Sequence, residues 1–147
     1  MEFTERLSEQ LAIVSCIDPD AYTAATVTGD EIDMRYFRRV IFIVMAGTLG
    51  SSATIDFKVT ECASSGGSFT DLSGKAITQL TDAGTDDDKQ AIVEVAAEEM
   101  GAGMRYLKGS LTVGTATSDV GVIALADCAR YKPANAYDLS SVDEIVA

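Results

Sequence analysis

Residues 39–62 read RVIFIVMAGTLGSSATIDFKVTEC. Val40 to Ala46 is an unbroken apolar run. Ile55 to Thr60 alternates instead, with Ile55, Phe57 and Val59 on one side and Asp56, Lys58 and Thr60 on the other. Alternation at period two marks a strand with one wet face, and a short continuous apolar run suits a strand covered on both faces. The pair is read as two antiparallel strands, with Gly47 to Ala53 as the hairpin loop between them. GTLGSSA carries two glycines, as a phosphate cradle would. It leads into a strand, however, so no helix N-terminus follows to receive an anion. The run 40–46 is expected to be buried on both faces, either by a second sheet and the tail or by a neighbouring subunit.

Working outward, Leu11–Ile17 reads as a short buried strand, stopped by Asp18-Pro19-Asp20. Tyr22–Thr28 is β-branched and strand-like. Gly29-Asp30 is a turn, and Ile32–Met34 a short alternating piece. Ser64–Ser68 is a surface loop. Phe69–Leu72 rejoins the sheet, and the type of 75–81 stays open. Residues 88–100 fit a helix by their acidic start and terminal Gly101, and a strand by Ala91, Val93 and Val95. The β-branched valines favour a strand to about Val95, then a helical turn near Ala97–Met100. Met104–Gly114 sets Leu107, Leu111 and Val113 against Tyr106, Lys108, Ser110 and Thr112. Val120–Cys128 is a second continuous apolar run. Glycines 109, 114 and 121 suggest bulges or close backbone approach. Seven to nine short strands with Gly/Ser/Asp turns make the fold all-β: an antiparallel β-sandwich or jelly-roll with at most one or two short helical turns. The expected organisation is a flexible N-terminus (1–10), a sandwich domain (11–132) and a C-terminal arm (133–147). In the arm, Tyr137, Leu139, Val142 and Ile145 are apolar enough to dock, either on the chain's own sheet or on a neighbour's.

The chain has 147 residues and a net charge of −12. Such an acidic surface repels phosphate backbones, so nucleic-acid binding is not expected. No apolar run approaches the ~20 residues of a membrane helix. MEFTERLSEQ lacks the basic and apolar regions of a signal peptide, so cytoplasmic synthesis is expected. Histidine is absent, which removes Ser–His and Cys–His catalysis in their usual form; no enzymatic activity and no cofactor are expected. Cys16, Cys62 and Cys128 lack ligand spacing for zinc and read as free apolar thiols. The acidic stretch 82–88 lacks the EF-hand pattern and reads as solvated rather than as a calcium site. Arg35, Arg38 and Arg39 form the densest basic group, with two readings: a positive rim at a strand entry, or a contact for an acidic neighbouring subunit.

Segments in order carry a family resemblance: IDPDAYTAATVTGDEIDM, VIFIVMAGTLGSSATIDFKVTE, DLSGKAITQLTDAGTDDDKQAIVEVAAEEM, SLTVGTATSD, ARYKPA and DLSSVDEIVA. From about Ile13 to the C-terminus the chain resembles small tailed-phage structural proteins encoded near the major capsid protein. The resemblance implies a capsid cement or decoration protein on the outer surface of the bacteriophage head, tying capsomers together. Its implied partners are the major capsid protein and itself, as a homotrimer, and its location is the virion. Arg35, Arg38, Arg39, Tyr137, Leu139, Val142 and Ile145 are then candidate subunit or capsid contacts. A tail or head–tail connector subunit is the structural alternative. A carbohydrate-binding sandwich is the other, disfavoured by the absence of tryptophan.

Overall fold

The computed structural model describes residues 4–147. In chain order it contains α1 (Leu7–Gln10), β1 (Ala12–Tyr22), β2 (Ala25–Thr28), β3 (Ile32–Asp33), β4 (Arg39–Ala46), β5 (Thr54–Cys62), β6 (Thr70–Ala76), β7 (Leu80–Thr81), β8 (Gln90–Ala96), β9 (Tyr106–Gly114) and β10 (Ser118–Asp127). One sheet runs β1-β10-β4-β8. The other runs β2-β9-β5-β6, with β3 added on β9 and β7 on β5. All pairings are antiparallel.

The pairing is nested. β1 pairs with β10, β2 with β9, β4 with β8 and β5 with β6. A long hairpin rolled on itself gives this order, which is that of a jelly roll. The expected fold class is therefore the one observed, but the expected hairpin is not. β4 and β5 lie in different sheets, and residues 47–53 cross from one to the other. Leu49 and Ala53 in this arch are buried and plug the end of the core. Gly50 has no room for a side chain, because a Cβ there would lie 2.4 Å from the Thr117 carbonyl oxygen.

The core forms where the inner faces meet. Phe42 on β4 and Phe57 on β5 are both about 1% exposed, and their ring centroids lie 5.6 Å apart. Val40, Val44, Ile55, Val59, Leu107 and Leu111 surround them. Gly109 leaves space for the pair: a Cβ would stand 2.9 Å from the Phe57 ring and 3.3 Å from Phe42.

Residues 88–100 fold as read, with β8 followed by a 3-10 turn at Ala97–Glu99. The open stretch 75–81 contains the end of β6 and the short β7. Among the described residues four single helical turns occur where one or two were expected: α1, Asp82–Gly84, Ala97–Glu99 and Ala134–Tyr137. Turns this short are set by local caps, such as the Thr81 hydroxyl accepting from Gly84 N–H, and leave no periodicity to read. β1 does not stop at Pro19. It continues to Tyr22 through a register shift between Ile17 and Asp20, as an edge strand can.

The expectation of burial on both faces of 40–46 fails within this chain. Val40, Phe42, Val44 and Ala46 point inward, while Ile41 and Ile43 are half-buried and Met45 is 53% exposed. The other sheet covers one face only, and the tail does not reach the second.

Candidate functional site

The outward face of the four-stranded sheet follows from register. Cys16 stands beside Ile123, Ile123 beside Ile43, and Ile43 beside Ile92, so one apolar row crosses all four strands. The adjacent row is Ile13, Leu125, Ile41 and Glu94. On the other side Gly121, Met45 and Gln90 align. Ile92 is 62% exposed at its place on β8. A shallow groove of about 740 Å³ runs along this face between Cys16, Pro19, Met45, Gly121 and Ile123. Nothing in residues 4–147 covers it.

The outward face of the other sheet is the opposite in character. Thr26 and Thr112 share a hydroxyl hydrogen bond at 2.9 Å. Lys58 pairs with Asp71 at 2.8 Å and Lys108 with Glu31 at 3.4 Å. That face is built for water.

Charge is distributed along the strands. Asp18, Asp20 and Asp119 gather with the 82–88 loop at the end where β4 finishes and β10 begins. All six arginines, Arg6, Arg35, Arg38, Arg39, Arg105 and Arg130, lie toward the other end. Acids accompany some of them. Arg39 pairs with Asp127, Arg105 with Asp33 at 2.6 Å, and Arg35 with Asp33 at 3.6 Å. Among the described residues Arg6, Arg38 and Arg130 make no ion pair.

Asp33 is the centre of this end. Arg105 Nε and Nη2 donate to its two oxygens at 2.8 and 2.6 Å, and Arg35 N–H donates at 3.0 Å. The hydrogen bonds from Arg105 hold its carboxyl below the ordinary carboxylate range, against the opposing effect of burial. Stabilisation from a lowered carboxylate is present above its unfolded pKa and is lost as pH falls through the folded one. Asp33→Asn should therefore flatten the fall in melting temperature below about pH 4. Thermal melts from pH 7 to 2.5 check this; an unchanged acid limb would contradict it.

The acidic loop has a structural use. Asp87 accepts from Leu49 N–H at 2.7 Å, Asp82 from Ser52 N–H at 2.9 Å, and Asp86 from Thr81 N–H at 2.9 Å. Asp82 and Asp87 clamp the 47–53 arch, and Asp86 closes the turn after β7. Among the described residues, no three His, Cys, Asp or Glu side chains are grouped to hold a metal ion.

The sequence-selected residues divide. Arg35 stacks on Tyr36 at 4.7 Å and donates to its hydroxyl at 2.6 Å. Tyr36 packs on Tyr137 at 5.1 Å, and Phe37 meets Tyr137 edge-on at 5.4 Å. Arg35 and Tyr137 therefore belong to one cluster. Arg38 and Arg39 are exposed at the start of β4. Ile13 N–H donates to Asp138 at 2.7 Å, and Leu139 N–H donates to the Ile13 carbonyl at 2.9 Å. The first half of the tail thus docks on the free edge of β1. Val142 is half-buried, whereas Ile145 is 46% and Val146 86% exposed. The sequence reading of packed thiols holds for Cys62, which is buried; Cys16 is intermediate and Cys128 exposed.

The residues missed were Ile41, Ile43, Ile92, Ile123 and Leu125. For all but Ile92 the signal was present in two runs, Val40–Ala46 and Val120–Cys128, that are apolar in both parities; Ile92 stands on β8.

No protein-family model matches the chain, and no curated protein matches it. Among solved structures, one match is a chain described as "Structure of infectious bursal disease virus Gx strain". The TM-score is 0.45 at 9% identity, over 86% of this chain and 34% of that one. The chain thus spans about a third of the length of that match.

Proposed function

We propose that this chain is a viral structural protein without enzymatic activity, a cement or decoration protein. It binds the outer surface of a tailed-phage head and stabilises contacts between capsomers. The observation that carries the reading is the bare apolar sheet face on an otherwise acid-coated jelly roll. Contiguous exposed apolar surface of this kind marks an interaction site. A net charge of −12 favours solubility of the free protein and discourages contact with nucleic acid. The order of the segments quoted above supports the tailed-phage assignment.

In this reading the arginine-bearing end and the outer half of the tail meet the major capsid protein. Ile145 and Val146 project there beyond the docked Leu139. Co-sedimentation with expanded empty heads tests it. Saturable binding at a fixed copy number per head is expected; no binding to expanded heads would sink it.

A further inference from the structure

We infer that the outward face of the four-stranded sheet is covered by a second copy of this chain. This rests on the assembly reading above and names the partner at that face.

Chemistry selects the face. Ile41, Ile43, Ile92, Ile123 and Leu125 form a continuous apolar surface with Cys16 at its β1 margin, and Glu94 and Gln90 stand only along β8. The outward face of the other sheet carries hydroxyls and ion pairs instead. A flat apolar sheet packs well on another flat apolar sheet about 10 Å away, and an identical copy supplies one.

The edges of the same sheet are partly closed, which favours the face over strand exchange. On β1, Asp138 and Leu139 occupy the Ile13 main chain, and Asp30 accepts from Cys16 N–H at 3.1 Å. On β8, the Lys75 ammonium donates to the Glu94 carbonyl at 2.7 Å, and Glu99 accepts from Ala96 N–H at 2.8 Å. Such coverings block edge-to-edge pairing.

Size and charge fit a copy. Four strands about 4.8 Å apart, each about eight residues long at about 3.3 Å per residue, offer roughly 500 Å² per copy. Two such faces give about 1,000 Å² in all, the lower bound for a specific interface. A copy lying with strands opposed sets the Asp18, Asp20 and Asp119 end against Arg38, Arg39 and Arg130. Unlike ends then meet although each chain carries −12.

Light scattering on the full chain and on Ile43→Lys, Ile123→Lys and Thr26→Lys tests the inference. Wild type and Thr26→Lys should show at least twice the 15.5 kDa chain mass. Both isoleucine variants should associate at least ~10-fold more weakly, because each lysine must be desolvated on an apolar contact. In a Cys128→Ser background, Cys16 should resist an aromatic disulfide reagent in the oligomer and react in Ile43→Lys. That readout, with unchanged circular dichroism, separates lost contact from lost fold. A monomeric wild type, or an oligomer that persists in Ile43→Lys, overturns the inference. If a monomeric wild type binds heads and Ile43→Lys does not, the face belongs to the capsid protein; the inference falls and the proposed function stands. If the copies associate as described but no head is bound, the inference stands and the proposed function falls.

Discussion

Phe42→Ala is expected to lower stability by about 3–5 kcal/mol, the usual range for deleting a buried phenylalanine. For a chain of this size that corresponds to a fall in melting temperature of roughly 6–20 °C. Three features make the site costly. Phe42 is 1% exposed, it contacts Phe57 across the two sheets, and Gly109 already provides the space both rings use. Phe57→Ala should cost a similar amount. The double variant should cost less than the sum, by about 0.5–1.5 kcal/mol, because the rings form one aromatic pair. Denaturant melts of the four proteins check this. Additive losses would mean that the two rings do not act as a unit.

Removing residues 137–147 is expected to cost about 3–5 kcal/mol, whereas removing 143–147 should change stability by no more than about 0.5 kcal/mol. The longer deletion takes away Tyr137 with its contacts to Tyr36 and Phe37. Those are worth about 1.5–3 kcal/mol for burial, reduced because Tyr137 is only partly buried, and about 0.5–1.5 kcal/mol for ring geometry. It also strips the Asp138 and Leu139 partners from Ile13, at about 1 kcal/mol each. The shorter deletion removes Ile145 and Val146, which are exposed. The two truncations should separate in function as well. Loss of 143–147 should weaken head binding while leaving the melt unchanged. A melt equally sensitive to both would contradict the division of the tail into a docked half and a projecting half.

Strand positions were largely legible in the sequence. Val93 and Val95 sufficed to make β8 a strand, and Ala97–Glu99 turned as read. Topology was less so. Residues 40–46 and 55–60 look like a hairpin because nothing local reports that Leu49 and Ala53 plug a core between two sheets. The loop owes its shape to Asp82 and Asp87, which lie 30 and 38 residues along the chain from the amides they bind. Long-range clamps of this kind leave no spacing to detect. The apolar runs of β4 and β10 were visible, but burial on both faces and exposure of an apolar face give the same sequence pattern. Only the sheet order separates them, and it places that face outside. Arg35 and Tyr137 were selected separately, and the structure joins them through Tyr36.

An electron cryo-microscopy map of the assembled particle would show directly where this chain sits. Jelly-roll density is expected on the outside of the expanded head, bridging capsomers, with Ile43 and Ile123 buried and the 143–147 segment against the capsid floor. Density confined to the tail or connector, or a particle whose copies leave Ile43 and Ile123 facing solvent, would contradict it.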